Sequence, residues 1–555
     1  MLPTLTLEVL ENIFKYLHYK DLTALCLTCK YLYKMTLQQL RSRWKDRKLF
    51  ISQLQTGPIE QKLKMPRLAL LKAIHVGSPT DPIMQYGSNN YSHEGLQKLL
   101  GVLRKFKNIT ELFLTNVKVN HLPTLQLAKI VKNLDTLDLT YTDITLQQLR
   151  PLLRNMAKKA TMDYINLTGA NLKNVPEKEL AMGLQRVSYV QLSFSNILPQ
   201  QLSQVLDYRD GKNRIRTLIF QQPPLSFIPD WEFWTGPVLW NSIQNLHGLS
   251  ILERWGPPYW TGHLEVICRA VESSRSITQL QISQDSHINL LFNDMEITDF
   301  QRPLPLTLSP QQFAQCLSKL TSLTLEGLFI PITPEQYSCL LEKIASKQSN
   351  LETLEIESTD LSSIDEKILA GALTRLKTCS LAYTSLTIRQ CIHIFQTLQE
   401  LKTAMITGID LSGLRHINSV DKFVFAKVCG RLKWVNLQNM NLSTDHWTEY
   451  MKQIVSQKQV VTTSAGWENN PSLSGVCPNL LRNAILKLEH VNLAYCRIPT
   501  LRSLDIVKGC LEGKVTRLIN LIEDEFYHSD YQERISKLIQ DYQNRGGKLI
   551  TRIFY

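Results

Sequence analysis

A leucine-rich pattern returns along most of this 555-residue chain. The pattern is L-x-x-L-x-L-x-x-(small)-x-L, and clear copies read LDTLDLTYTDI at 134–144, LETLEIESTDL at 351–361 and LEHVNLAYCRI at 488–498. With the second apolar position as phase marker, the markers fall at 112, 137, 165, 190, 218, 280, 323, 354, 379, 435, 491 and 518. The early steps alternate between 25 and 28 residues. Self-similarity of this kind predicts an array of short repeats rather than one globular core.

Each strand-like segment leads into the start of a helix. Ser or Thr caps the first amides and Gln three residues later closes a capping box at TLQQ (145–148), SPQQ (309–312), TPEQ (333–336) and TIRQ (387–390). Apolar residues then recur at helical spacing, as at Phe313, Cys316, Leu317 and Leu320. Each repeat is therefore predicted to be a strand, a turn and a helix, which makes the fold class α/β.

This pattern resembles the leucine-rich repeat family, in its longer type with a full helix per repeat, over residues 101–530. The resemblance implies a solenoid with parallel strands on the concave face and helices on the convex face. Three stretches break the phase, at 221–276, 283–311 and 456–484, and are predicted as irregular insertions. The first is rich in Trp and Pro, which fits either a functional insertion or a degenerate repeat filled by Trp side chains.

Residues 5–44 carry the patterns of three short amphipathic helices. Leu10, Ile13, Phe14 and Leu17 form one apolar stripe on the first, and Asp21 can cap the second. About forty residues supply too little core for comfortable stability, so a partner is expected to cover the exposed apolar residues. The alternative is that these helices cap the first repeat.

The same segment resembles the F-box family through the spacing of Leu5, Glu8, Leu10, Ile13, Leu17, Asp21, Leu22, Cys29, Lys30 and Trp44. The resemblance implies docking to the Skp adaptor of an SCF-type cullin-RING ubiquitin ligase, with the repeats as substrate receptor. The adaptor-binding residues that it implies are Leu5, Leu7, Leu10, Ile13, Phe14, Leu17, Leu22, Leu25, Cys29, Leu32 and Trp44. The predicted domains are an F-box (1–48), a helical linker and solenoid cap (49–100), the repeats (101–530) and a C-terminal cap and tail (531–555).

The formal net charge of +13 lies mainly at the N-terminus. Residues 1–107 hold 17 Lys and Arg against 7 Asp and Glu, which leaves 45 against 42 for the remainder. The basic region suits an acidic adaptor, and a nucleic-acid-associated protein is the alternative that salt-sensitive binding would indicate. The near-neutral repeat region argues against nucleic acid as the partner.

Aromatic residues stand at the repeat positions that project from the strands and from the turns after them. Phe113, Tyr164, Tyr189 and Trp434 sit beside inward residues, and Tyr141, Phe194, Tyr383 and Tyr495 fall two residues after the third apolar position. Such rings are typical interface anchors, so these eight are the predicted substrate-binding residues, on a surface expected to be neutral. The alternative is that the rings pack on one another along the repeats.

No sequence motif for catalysis or metal binding stands out. Cys26 and Cys29 form a CxxC with no second pair at zinc spacing, and P-loop, H-E-x-x-H and G-x-S-x-G motifs are missing. We therefore expect a non-catalytic receptor without metal or cofactor. No apolar run has the length of a membrane span and the first residues do not form a secretory signal, which predicts an intracellular protein in cytoplasm or nucleus. A non-ligase leucine-rich-repeat scaffold is the competing hypothesis.

Overall fold

The computed structural model describes residues 48–51, 72–76, 93–104, 109–207, 213–221, 245–253, 260–284, 308–326, 332–401, 405–457, 462–493, 496, 498, 518–520 and 548–549. The chain divides into two compact units, Met1–Arg254 (unit 1) and Trp255–Tyr555 (unit 2). The predicted adaptor-binding residues between Leu5 and Trp44 lie outside the described residues, as does Tyr495. Among the described residues, no helix has the length and apolar character needed to cross a bilayer.

Unit 1 is built of parallel strands and helices that alternate along the chain. Its described strands are β1 (Lys48–Ile51), β2 (Ala73–Val76), β3 (Glu111–Leu114), β4 (Thr136–Asp138), β5 (Met162–Asn166), β6 (Val187–Gln191), β7 (Thr217–Gln221) and β8 (Gly248–Glu253). Its described helices are α1 (His93–Leu103), α2 (Gln126–Ile130), α3 (Leu146–Ala157), α4 (Glu177–Leu184) and α5 (Pro199–Val205). Each strand pairs in parallel with the next one in sequence.

Unit 2 follows the same plan. Its described strands are β9 (Gln279–Gln284), β10 (Ser322–Glu326), β11 (Thr353–Glu357), β12 (Thr378–Ser380), β13 (Gly408–Asp410), β14 (Trp434–Asn436), β15 (Ser464–Gly466), β16 (His490–Asn492), β17 (Leu518–Asn520) and β18 (Lys548–Leu549). Its described helices are α6 (Trp260–Ser273), α7 (Pro310–Leu317), α8 (Pro334–Ala345), α9 (Glu366–Leu373), α10 (Ile388–Glu400), α11 (Lys422–Cys429), α12 (Thr444–Ser456) and α13 (Pro478–Ile485). Consecutive strands again pair in parallel.

The strand register confirms the predicted fold class and most of the phase markers. Leu112 lies opposite Leu137, Leu137 opposite Ile165, and Leu323 opposite Leu354. These marker residues are buried, as are the apolar residues two positions later, and helices cover that face. The residues on either side of each marker lie on the other face of the sheet, which we call the open face. One marker is wrong by a residue, because Ile519 rather than Leu518 pairs with Val491.

Three predicted irregular or linking regions contain regular repeat elements and are corrected. Residues 221–276 include β8 and α6, and residues 456–484 include β15 and most of α13. The repeat at 456–484 was missed because the β15 strand reads Ser-Ala-Gly, which lacks the large apolar residues of the consensus. The predicted helical linker at 49–100 contains β1 and β2 as well as α1, so the described parallel pairing begins at Lys48.

Two further boundary predictions are met only in part by the described residues. Most of the predicted insertion at 283–311 lies outside them, although β9 extends to Gln284 and α7 begins at Pro310. The predicted C-terminal cap at 531–555 is described only at Lys548–Leu549, which forms β18 and pairs with β17.

A buried glutamine near the start of several helices joins neighbouring repeats. At α3, Gln148 Oε1 accepts a hydrogen bond from the Thr145 amide at 3.0 Å, and the Thr145 hydroxyl accepts from the Gln148 amide at 3.3 Å. The Gln148 Nε2 then donates to the carbonyls of Val119 (2.7 Å) and Leu122 (2.8 Å) in the preceding repeat. The same side chain thus caps its own helix and satisfies buried backbone acceptors of its neighbour.

This arrangement recurs along both units. Gln201 donates to Leu172 and Val175, and Gln390 donates to Leu361 and Ile364, at distances between 2.6 and 2.9 Å. At α12 a histidine takes the glutamine's place, with one ring nitrogen of His446 2.7 Å from the Ser443 hydroxyl and the other 2.9 Å from the Val420 carbonyl.

Long and short repeats alternate where these side chains bridge. The glutamine- or histidine-bearing helices α10 and α12 have 13 residues, whereas α9, α11 and α13 have 8. The bridging glutamine or histidine on each of these long helices contacts the loop that precedes the short helix of the preceding repeat. Alternation of helix length explains why 25 residues separate Leu112 from Leu137 and 28 separate Leu137 from Ile165.

Replacing Gln148 by Ala removes a helix cap and leaves the buried carbonyls of Val119 and Leu122 without this donor. We expect the free energy of unfolding to fall by about 2–4 kcal/mol, measured by urea denaturation of the full chain. Gln147 is the matched control because its side chain is exposed, so Gln147→Ala should change stability by less than about 0.5 kcal/mol. Equal effects of the two substitutions would contradict the bridging role.

Candidate functional site

The register places three of the predicted substrate-binding aromatics on the open face of unit 1. Phe113 lies between buried Leu112 and Leu114, and its ring stacks on His75 with centroids 3.9 Å apart and planes 4° from parallel. Tyr164 and Tyr189 occupy paired positions of β5 and β6, with ring centroids 5.1 Å apart. His75 was not among the predicted residues, because the repeat pattern is not apparent in the sequence before residue 101.

Polar side chains near Tyr164 form a hydrogen-bonded network on the same face. Asp138 accepts from the Thr140 amide at 2.8 Å and from Asn166 Nδ2 at 3.2 Å. The Tyr164 hydroxyl donates to Gln191 Oε1 at 3.1 Å. Burial raises the pKa of Asp138, and burial together with the nearby Asp138 carboxylate raises the pKa of Tyr164. The tyrosine therefore stays protonated as a donor, and the network fixes the side chains of this part of the face.

The predicted turn aromatics of unit 1 pack along the repeats. Tyr141 and Phe194 have left-handed backbone conformations (φ 50° and 55°), and their ring centroids lie 6.3 Å apart. Gly169 occupies the same turn position in the repeat between them, with φ 78°. A Cβ at Gly169 would lie 2.7 Å from the Tyr141 ring, so the glycine makes room for that ring. The rings of Tyr141 and Phe194 therefore pack along the repeats, which was the alternative to their serving as exposed interface anchors.

In unit 2, Tyr383 and Trp434 each lie against a glycine of the next or preceding repeat. The ring of Tyr383 occupies the space that a Cβ on Gly413 (φ 70°) would need, and the indole of Trp434 does the same at Gly408. Tyr383 is 49% exposed and its hydroxyl accepts a hydrogen bond from Asn439 Nδ2 at 2.6 Å. Both rings are therefore positioned by neighbours while part of their surface faces solvent.

The open face of unit 2 also carries carboxylates that were not predicted from the sequence. They are Glu326, Glu355, Glu357, Asp410 and Glu468, at open-face positions of β10, β11 and β13 and just after β15. Each accepts a hydrogen bond from a neighbouring strand, for example Glu355 from Thr324 and Glu357 from Ser380, both at 2.7 Å. The signal was present in the sequence as the alternating acids of LETLEIE. The expectation of a neutral surface is therefore wrong for unit 2.

Glu357 is the carboxylate most affected by its surroundings. Burial raises the pKa of Glu357 to about 7, the hydrogen bond from Ser380 opposes that shift, and Glu326, Asp410 and Glu355 add to it. Near neutral pH this carboxyl is therefore partly protonated, because burial and the neighbouring carboxylates both disfavour its charged form.

The cysteines Cys268, Cys379 and Cys429 are buried in the described part of the chain. The described residues contain no group of three or more His, Cys, Asp or Glu residues placed to hold a metal ion. Burial raises the pKa of the thiols of Cys268, Cys379 and Cys429, which keeps them protonated and unreactive. The CxxC at Cys26 and Cys29 lies outside the described residues.

Gly413→Ala should destabilise the full chain by about 1–3 kcal/mol, because alanine is strained at positive φ and its methyl group would displace the Tyr383 ring. Thermal and urea unfolding measure the effect. Gly101→Ala is the control, since a Cβ there meets nothing within 4 Å on α1 and should be neutral or slightly stabilising. A neutral Gly413→Ala would show that the ring is not seated on this glycine.

The pKa of Glu357 predicts a specific pH dependence of stability. Because the folded-state pKa lies above the ordinary value of 4.5, the folded state binds this proton more tightly, and the contribution to stability is lost as pH rises through about 7. Glu357→Gln should therefore raise the unfolding temperature relative to wild type at pH 8 and have little effect at pH 5. Glu342→Gln on α8, with an exposed side chain, should give the same small difference at both pH values. An equal effect of Glu357→Gln at the two pH values would contradict the shift.

Comparison with known proteins assigns the N-terminal segment. Residues 7–46 match the family model F-box-like, the segment that carries the F-box resemblance. No curated protein matched the chain. Among solved structures, the chain is similar to the leucine-rich repeat-containing protein LegL7 from Legionella pneumophila, at 13% identity and a TM-score of 0.33, over 68% of this chain and 96% of that one. The repeat assignment rests on the register and helix alternation described above. With an F-box-like domain at its N-terminus and leucine-rich repeats after it, this chain is an F-box/leucine-rich-repeat protein.

Proposed function

We propose that this chain is the substrate-recognition subunit of an SCF-type cullin-RING ubiquitin ligase. The observation that carries the proposal is the F-box-like match at residues 7–46, followed from Lys48 by parallel-strand repeats. The F-box suggests binding of a Skp adaptor, and F-box/leucine-rich-repeat proteins are typically non-catalytic adaptors. The ubiquitin chemistry then belongs to the partners of the complex.

The mechanism of such a receptor is proximity. A substrate held by the repeats stays near a ubiquitin-charged enzyme that the cullin-RING complex recruits, so that a dilute encounter becomes effectively intramolecular. The F-box-like match ends at residue 46 and β1 begins at Lys48. A connection this short leaves no room for a long flexible linker between the F-box-like segment and the repeats. A short linker keeps a bound substrate close to the recruited enzyme, which favours ubiquitin transfer.

The apolar side chains between Leu5 and Trp44 named above are the proposed adaptor contacts. The stripe of Leu10, Ile13, Phe14 and Leu17 is their centre, because four apolar residues on one face of the short helix that the sequence predicts need a covering surface.

The open faces of the repeat units are the proposed substrate surface. On unit 1 the rings of Phe113, Tyr164 and Tyr189 are half-buried, so each keeps a contact area while its conformation is already fixed. Rings held in this way lose little conformational entropy on binding, which suits them as anchors. Trp434 offers a similar half-buried ring on unit 2.

Co-purification of the full chain with a Skp adaptor tests the proposal. We expect a stable one-to-one complex with wild type, and loss of that complex when Ile13→Asp and Leu17→Asp place charges in the apolar stripe. The control is Asn12→Asp with Lys15→Gln, which changes the net charge by the same amount on the other side of the predicted helix and should retain the adaptor. Circular dichroism of each variant checks that the repeats remain folded.

No complex with the wild-type chain would overturn the ligase assignment. The chain would then be an interaction scaffold whose N-terminal helices only cap the repeats. Equal adaptor binding by wild type and the double aspartate variant would instead show that the stripe is not the docking surface.

A further inference from the structure

Two adjacent helices of unit 2 expose apolar side chains on their outer side. Ile388, the first residue of α10, is 47% exposed, and Phe423, the second residue of α11, is 60% exposed. Ile392 and Val424 are half-buried on the same two helices. The helices pack on each other, with a buried Phe ring of one 5.6 Å from that of the other. We call these four residues the apolar seam.

Repeat geometry makes the residues of the apolar seam neighbours. Ile392 stands five residues after the cap of α10, and Val424 stands three residues after the cap of α11. At the equivalent positions of α3 and α4, Arg150 Nε donates to Glu179 Oε2 at 2.8 Å. These two positions therefore lie side by side, and the other two residues of the seam are one helical turn before Ile392 and one residue before Val424.

Three other pairs of a long and a short helix carry polar side chains at the positions of Ile392 and Phe423. The pairs are Arg150 and Lys178 on α3 and α4, Ser338 and Lys367 on α8 and α9, and Thr448 and Asn479 on α12 and α13. Apolar residues at these positions are therefore not a requirement of the repeat. An exposed apolar patch with a polar border is typical of an interaction site.

Cations border the apolar seam. Arg389 lies three residues before Ile392, and Lys427 lies four residues after Phe423, so each shares a helix face with the seam. Both cationic side chains are exposed, and neither forms an ion pair within the described part of the chain. Their charges are therefore available to a partner.

The acids around the apolar seam are engaged elsewhere or lie farther away. Asp421 caps α11 by accepting from two amides of its first turn, at 2.9 and 3.0 Å. On α12, Asp445 pairs with Lys422 and Glu449 pairs with Lys452, both at 2.8 Å. The acids within α9 and α10 lie on the helix beyond α10 or at its opposite end, and are Glu366 and Glu400. The uncompensated charge beside the seam is therefore positive.

We propose that the apolar seam binds an amphipathic helix of a protein partner, one that carries Asp or Glu beside its apolar face. The groove between two packed helices accepts side chains spaced by one turn on a third helix. Arg389 and Lys427 then pair with the acids of that helix. This surface belongs to the helices of unit 2 and not to its open face, so the inference goes beyond the proposed function and does not depend on it.

The same chemistry disfavours two other occupants of the apolar seam. A second copy of the chain, bound through a twofold interface, would bring the cations of both seams together and so place like charges in contact. A bilayer surface is normally held by a larger apolar face or a longer row of cations than two helices provide here. The experiment distinguishes both occupants from a helical partner.

Fluorescence anisotropy of the full chain with a labelled 18-residue helical peptide tests the proposal. The peptide consists of Ala and Glu with Leu at every third or fourth position, so that the Leu side chains form one face. We expect saturable binding that weakens with added salt. A counterpart with Lys in place of Glu, and a scrambled peptide without a continuous Leu face, should each bind at least about fivefold more weakly.

A double substitution in the apolar seam tests its role without changing the net charge. Ile392→Thr with Phe423→Asn gives the seam the side chains of the equivalent positions on α12 and α13, and should weaken binding of the Glu peptide by at least about tenfold. The matched control is Leu125→Thr with Met182→Asn, which removes two apolar side chains of unit 1, each 52% exposed. The control should bind within about twofold of wild type. Urea unfolding of each variant checks that the repeats remain folded.

A charge reversal keeps the test independent of folding losses. Arg389→Glu with Lys427→Glu should reverse the preference, so that the Lys peptide binds better than the Glu peptide, a gain that an unfolded chain cannot give. Equal binding of the two peptides by wild type, or unchanged binding by the seam variant, would overturn the proposal. A seam-dependent dimer in light scattering would also overturn it, as would sedimentation with phosphatidylserine vesicles by a chain that does not discriminate the peptides.

Discussion

Buried side chains, most of them glutamine amides, connect several helices of this protein to the loop of the repeat before them. Parallel strands require a crossover after every strand, and each crossover leaves backbone carbonyls in the interior that need donors. Gln148, Gln201 and Gln390 supply them while also capping their own helices. One side chain thus ties two neighbouring repeats together, while the parallel backbone pairing of the strands sets the register of the open faces.

That register determines what each unit can present to a partner. Side chains at matching positions of consecutive strands stand side by side, so single residues become rows of rings or rows of acids. Unit 1 presents the His75–Phe113 stack and the Tyr164–Tyr189 pair. Unit 2 presents carboxylates oriented by hydroxyls and amides. Glycines at 169, 408 and 413 give large rings the room to lie along the repeats.

The sequence predicted most of the repeat architecture from the recurring large apolar residues of the strands. Eleven of the twelve phase markers lie on the observed register, but the repeats centred on Leu249, Ile409 and Ala465 were missed. The Ser-Ala-Gly strand accounts for the last of these, because only the small Ala465 faces inward within the strand and its apolar signal is weak.

The candidate surfaces were harder to predict than the fold. Aromatic positions follow from periodicity, but whether Tyr141 faces a partner or packs toward Phe194 depends on Gly169 in another repeat. The acids of unit 2 form one charged surface only when strands far apart in sequence are placed side by side. Glu326 and Glu357 illustrate this, because their mutual repulsion arises from the pairing of β10 with β11.

Hydrogen–deuterium exchange of the full chain, alone and with a Skp adaptor, tests the central claim that the N-terminal segment docks while the repeats stay available. The account predicts slower exchange on adaptor binding within residues 5–44 and unchanged exchange in β3 to β6 and β10 to β14. Unchanged exchange in residues 5–44, or protection in those strands instead, would contradict it.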